Sequence, residues 1–186
     1  MSAPVVLISR CLLGTPCRYD GASRPAAALA LLPAHWTRLD LCPEEDLGMG
    51  VPRSPIGLVL AAEGPRLKEC RGPRDWTREM ADWCRLLARI LLGDGAAGAV
   101  LKARSPSCGR GDVELFADEA ALAAGHAPLG RGADGFLVRA LQAADPAFPL
   151  INDEELADEA RRFAFAAAVE ARHASRAAGR SATAPA

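Results

Sequence analysis

Three cysteines of the chain each follow an apolar stretch and sit inside a turn rich in proline and glycine: Cys11 in ISRCLLGTPCRYDG, Cys42 in LDLCPEEDLG and Cys108 in LKARSPSCGRGD. Thiolates are soft ligands, suited to zinc, copper(I) and iron–sulfur clusters. In an α/β protein the turns at the carboxyl ends of adjacent parallel strands converge on one crevice, so cysteines remote in sequence can meet there. Three thiolates in one crevice make a metal or cluster site. The other cysteines separate by setting. Cys17, six residues after Cys11, is near enough to join the same site or to resolve an oxidised sulfur, and reads equally well as a solvent-facing turn residue. Cys84, beside Trp83 in an apolar helical run, reads as a buried small hydrophobe. Cys70, in KECRG, has basic neighbours but no partner motif and reads as incidental.

The pattern of apolar residues predicts the elements that would bring these turns together. PVVLISR (4–10) is a short apolar run with β-branched residues, a strand that delivers Cys11. PAAALALLPAHW is helix-prone up to Pro33, and TRLDLCP reads as a second strand, with Leu39 and Leu41 alternating, that delivers Cys42. Between 46 and 73 glycines and prolines recur, which predicts an irregular excursion, placed to cap a site and holding at most a short strand at IGLVLAA. The clearest helix is Arg74 to Leu92, with Asp75 or Thr77 as caps and Trp76, Met80, Trp83, Leu87, Ile90 and Leu91 at helical spacing. GAVLKARS is a third strand with SPSCGRGD as its terminal turn. ADEAALAAGHAPLGRGAD predicts a short helix and a loop, GFLVRALQAAD a helix, FPLIND a final strand and EELADEARRFAFAAAVEARHASR a long helix. This order predicts an α/β, Rossmann-like fold, a mostly parallel sheet covered by helices on both faces. Residues 1–175 are expected to form a single α/β domain with the excursion at 46–73, and 176–186 a disordered tail.

Composition fits that frame. Half of the 186 residues are apolar, enough to bury one sizeable core. Charge nearly cancels, 22 basic against 23 acidic residues, which argues against a membrane-surface binder or a stable nucleic-acid complex held by net charge. No segment approaches ~18 uninterrupted apolar residues, and MSAPVVLISRCLLG lacks the charged leader of a signal peptide, so a cytoplasmic location is expected. In a reducing compartment six irregularly spaced cysteines favour metal or thiol chemistry over a disulfide framework.

CLLGTPCRYDG, CPEEDLGMGVPR and LKARSPSCG resemble, in order and approximate separation, the three signature segments of the thiouracil desulfidase family, long catalogued as domain of unknown function 523. GRGADGFLVRALQA resembles that family's later glycine-led helix. The resemblance implies an α/β enzyme carrying a [4Fe–4S] cluster on three cysteines, which match Cys11, Cys42 and Cys108, with one iron open for the sulfur of a thiolated pyrimidine. It also implies a glutamate and a serine near the cluster, matching Glu44 of CPEE and either Ser105 or Ser107 of SPSC. The implied reaction converts a thiouracil-type C=S to C=O with release of sulfide and no external electron donor. The implied partner is a small thiopyrimidine, 2- or 4-thiouracil in type, and the expected state is a monomer or small homo-oligomer.

The chain departs from the pattern in two places. CPEEDLGMG stands where many relatives have CPE and a double-glycine turn, so Glu44 and Glu45 compete for the catalytic position, Glu44 fitting the spacing better. After PR the chain has Ser54, Pro55 and Ile56 where relatives often carry a glutamate. Read without the resemblance, Glu44 is a first-turn acid favoured by the helix dipole and both serines are turn residues around Pro106.

Arg10, Arg18, Arg53, Lys102, Arg104 and Arg110 flank the motifs, where they could hold an anionic group or lower thiolate pKa values. His35, His126 and His173 lack ligand spacing and receive no role. Two other readings of the cysteines stand beside the cluster: a zinc site on Cys11, Cys17, Cys42 and Cys108, without CxxC knuckles, and a thiol-redox protein using Cys11 with Cys17.

Overall fold

The computed structural model describes residues 2–182. Four strands, β1 (Val5–Ser9), β2 (Thr37–Leu41), β5 (Ala96–Leu101) and β8 (Leu150–Asn152), form a parallel sheet in the order β2-β1-β5-β8. Helices cover both faces. Alternation along β1 assigns the layers: Leu7 packs with α2 (Thr77–Gly93) and α4 (Phe136–Ala144), whereas Val6 and Ile8 face the side holding Phe165 and Val169 of α5 (Glu159–Ala182). β5 is buried along its whole length, as a central parallel strand must be. Its Gly98 lets α5 approach, since a Cβ there would lie 2.7 Å from Val169 Cγ2. Phe165 stands edge-on to Trp36, with ring centroids 6.0 Å apart, and the Trp36 indole N–H donates to Glu170 at 2.6 Å.

The excursion is more ordered than its composition predicts. It contains β3 (Ile56–Val59) and β4 (Arg66–Glu69), which join β6 (Val113–Phe116) and β7 (Gly130–Ala133) in a second, mixed sheet of order β4-β3-β6-β7. β3 is the short strand expected at IGLVLAA, whereas β4 and β7, four residues each, escaped recognition because RLKE and GRGA carry no strand-like alternation; their pairing across the sheet sets their conformation. The short helix expected before β7 is α3 (Glu119–Ala124), β7 replaces the loop expected after it, and Leu39, expected to alternate with Leu41, is 42% exposed on the edge strand β2. The alanine-rich segment between Pro25 and Pro33 forms a 3-10 turn, Ala27–Leu31, and not a full helix.

α2 begins at Thr77, where Asp75 accepts from the Thr77 N–H at 2.9 Å, and buries Met80, Cys84, Ala88 and Leu91. Trp83 and Leu87 are only partly buried and Ile90 is 48% exposed, because the face turned to α4 is narrower than the apolar pattern. The final helix α5 continues to Ala182, over residues expected to form a disordered tail. Alanine and arginine are strong helix formers, and Arg176 anchors the segment on the Leu92 carbonyl. The last four residues of that tail lie outside the described ones.

All four strands of the parallel sheet end at one edge. The chain leaves β1 toward β2 on one side and β5 on the other, so this edge carries the switch point at which open α/β sheets form their crevice.

Candidate active site

Each motif enters the crevice from the carboxyl end of a strand. After β1, Arg10–Leu13 forms a 3-10 turn closed by Gly14 at φ 96°, and the Cys11 carbonyl is held by the Arg24 N–H at 2.9 Å. After β2, Cys42 caps the short helix α1 (Pro43–Asp46), which starts with proline and three acids as a helix N-terminus favours. After β5, the loop to Cys108 is tied to its surroundings. Asp153 accepts from Lys102 Nζ at 3.1 Å and from the Ala103 N–H at 2.7 Å, and Asp112 accepts from the N–H of Arg104, which adopts φ 62°. The N-terminus of α4 grips the same loop: the Gly135 N–H donates to Gly109 O at 2.8 Å and the Leu137 N–H to Ser107 O at 2.9 Å. A Cβ on Gly135 would lie 2.7 Å from Cys108 N, so only glycine allows this approach.

Cys11, Cys17, Cys42 and Cys108 line one pocket of about 790 Å³, and none is in a disulfide. Burial and then the neighbouring thiols of Cys108 and Cys42 push Cys11 up to about 12. Burial also raises Cys42, against the Glu45 backbone amide and the Arg53 guanidinium. It raises Cys108 too, against the neighbouring hydroxyls of Ser105 and Ser9. Ser9 Oγ accepts from the Lys102 N–H at 3.0 Å, so its own hydrogen is free to point at Cys108 Sγ, 3.4 Å away. Cys84 is buried in the core behind Cys108, and Cys70 lies outside this pocket.

A hydrogen-bonded chain runs from this loop to α1. Ser107 donates to Glu44 Oε1 at 2.7 Å, which commits its only hydrogen. Ser105, 2.9 Å away, must therefore donate to Ser107, while Ser105 Oγ accepts from the Cys108 N–H at 3.3 Å. The other oxygen of Glu44 receives Arg53 Nε at 2.9 Å and Nη2 at 2.7 Å, and Arg53 also donates to Cys17 O at 3.0 Å. Glu44, Ser105 and Ser107 all line the pocket; Glu45 is not among its lining residues and pairs with Arg10. Of the two serines, Ser107 bonds the carboxylate and Ser105 takes the bond from the loop backbone.

The basic residues are mostly committed elsewhere. Arg10 pairs with Asp40, Glu45 and Asp46, Lys102 with Asp153, Arg104 with Glu154 and Arg110 with Glu155. Arg18, whose guanidinium carbon lies 5.3 Å from the Tyr19 ring centroid, remains at the pocket with Nε 3.4 Å from Asp20 and no hydrogen bond to it. His35 and His173 make contacts remote from the crevice, to Glu170 and to Ser2 O. Sequence reasoning assigned nothing to Ser9, Asp153 or Gly135. Their only sequence signal is proximity to the motifs or to the glycine-led helix.

Together these features define an α/β protein with a thiol-lined crevice at its switch point and a carboxylate–serine chain beside the thiols. The chain belongs to the 2-thiouracil desulfurase family, which matches residues 6–153. It is similar to a solved structure described as a [4Fe–4S]-dependent thiouracil desulfidase, TudS, with a TM-score of 0.64 and 26% identity, covering 87% of this chain and 98% of that one. No curated protein matches the sequence. Among the described residues, no helix is long and apolar enough to cross a membrane.

Proposed function

We propose that the protein is a [4Fe–4S]-dependent desulfidase that converts a thiolated pyrimidine of the 2- or 4-thiouracil type to its oxo form and releases sulfide. The observation that carries this reading is the meeting of Cys11, Cys42 and Cys108 with the Glu44–Ser107–Ser105 chain in one pocket. The donor set fits the cofactor: three thiols, each disfavoured as a bare thiolate by burial, suit a soft cationic centre that would compensate their charge. Bound through these three, such a cluster supplies a Lewis acid at its fourth iron, open to the thiocarbonyl sulfur. Glu44 takes a proton from a water that adds to the thiocarbonyl carbon. Arg53 fixes the carboxylate on one side and Ser107 on the other, while Ser105, whose hydrogen goes to Ser107, presents its oxygen to the pocket. Ser9 stabilises Cys108 as thiolate. The balance is C=S plus water to C=O plus hydrogen sulfide, so no electrons are exchanged.

The spacing of the thiols weighs against a zinc site on all four cysteines. Among the described residues, the donor group tight enough for one ion is Cys17, Cys42 and Glu45, not the cysteine set. We place the enzyme in the cytoplasm as a monomer or small homo-oligomer with no stable nucleic-acid complex. Protein reconstituted without oxygen is expected to turn 2- or 4-thiouracil into uracil with stoichiometric sulfide and no added reductant. No turnover on a fully loaded cluster, or turnover only with a reductant, would contradict the reading.

A further inference from the structure

Cys17 is the crevice cysteine that the proposed reaction does not use, and it is 1% exposed. Its thiol, that of Cys42 and a carboxylate oxygen of Glu45 all lie within 4.8 Å of one another. Sulfurs on a tetrahedral zinc ion, ~2.3 Å from the metal, are about 3.8 Å apart. Cysteines on two corners of a cubane are instead separated by the inorganic core between their irons. The spacing of Cys17 and Cys42 therefore suits one shared ion.

The surroundings hold these donors in place. Cys42 caps α1 and Glu45 stands three residues later in its first turn, the spacing at which a side chain folds back toward the cap. Arg10 holds Glu45 Oε2 at 2.8 Å, leaving Oε1 for a ligand. Cys17 is fixed from the other side, its carbonyl accepting from Arg53 Nη2 at 3.0 Å and its N–H donating to Thr15 O at 2.9 Å. Two thiolates and a carboxylate leave one net negative charge on a divalent ion, and Arg10 and Arg53 flank it.

We propose that in the cluster-free protein Cys17, Cys42 and Glu45 form a mononuclear site for a thiophilic divalent cation of the zinc type, with water as the fourth ligand. Binding releases the two thiol protons and involves no redox change. Because Cys42 belongs to both sites, zinc and cluster exclude one another, and zinc release is a condition of cluster assembly; this competition alone rests on the proposed function.

The test is a Zn²⁺ titration of the full chain, stripped of metal without oxygen and followed by native mass spectrometry, with Co²⁺ as a probe for thiolate-to-metal charge transfer. One equivalent is expected to bind. Cys17→Ser and, independently of core packing, Glu45→Gln should each weaken Zn²⁺ at least tenfold while iron loading persists. Cys108→Ala should lose iron loading and keep zinc. Unchanged zinc affinity in both Cys17→Ser and Glu45→Gln, or loss of zinc in Cys108→Ala, would overturn the proposal. The first outcome leaves the desulfidase reading untouched; iron retention in Cys108→Ala strikes that reading and leaves the zinc site standing.

Discussion

At the residue scale, the proposed function divides the site into groups that hold and groups that react. Glu44 meets the crevice through one oxygen bonded to Ser107 and the other to Arg53, an arrangement that orients a base without consuming it. Glu44→Gln preserves the side-chain size and removes the proposed base. Iron content should stay normal while kcat falls by ~10²-fold or more, the scale of general-base loss. Wild-type activity on a loaded cluster would move the base elsewhere. The two serines should differ. Ser107 is 1% exposed and committed to Glu44, whereas Ser105 is half-buried and faces the pocket, so Ser105→Ala should cost more activity than Ser107→Ala with the cluster intact in both. The cysteines, Glu44 and the serines were legible because family motifs carry them. The roles of Ser9 and Arg53 were not, since the contact of Ser9 with Cys108 spans 99 residues and that of Arg53 depends on where the excursion folds back.

At the element scale, the cysteine loop is shaped by the helix behind it. A Cβ on Gly135 would meet three backbone atoms, Cys108 N at 2.7 Å and Gly109 N and Ser105 O at 2.9 Å, none of which can rotate aside. Gly135→Ala should lower iron loading and cost ~1–3 kcal/mol of stability, the range of overpacking, with the circular dichroism of the fold retained. Gly132→Ala, with nothing within 4 Å of its Cβ, is the matching control and should load normally. Normal loading in Gly135→Ala would show that the loop is not set by α4. The same scale explains which elements the sequence makes visible. β1, β5 and β8 are apolar runs ended by turn residues, and α2, α4 and α5 have helical periodicity. β4 and β7 are edge strands of the second sheet with one apolar residue each, Leu67 and Ala133, among polar residues and glycine, so pairing and not composition makes them strands.

At the scale of the whole molecule, folding places thiols where water does not reach them, with a consequence for pH. Burial, followed by the neighbouring Cys108, raises Cys84 from 9.0 to about 12, and Cys11 is raised to about 12 by burial with its thiol neighbours. The unfolded chain therefore loses these protons first. The stability they contribute is fully present below pH 9 and is lost as pH rises from 9 toward 12. Urea midpoints of the cluster-free protein should fall across that interval, and less steeply in Cys84→Ala; a flat midpoint would contradict the burial of these thiols.

The fold also explains why three distant turns form one site: β1, β2 and β5 are neighbours in the parallel sheet and end at the same edge. The most direct test of the account is the iron and acid-labile sulfide content of anaerobically reconstituted single Cys→Ala variants. Loss of most of both is expected at Cys11, Cys42 and Cys108, with full content at Cys17, Cys70 and Cys84. Full content in any of the first three would contradict the assignment of the cluster to this crevice.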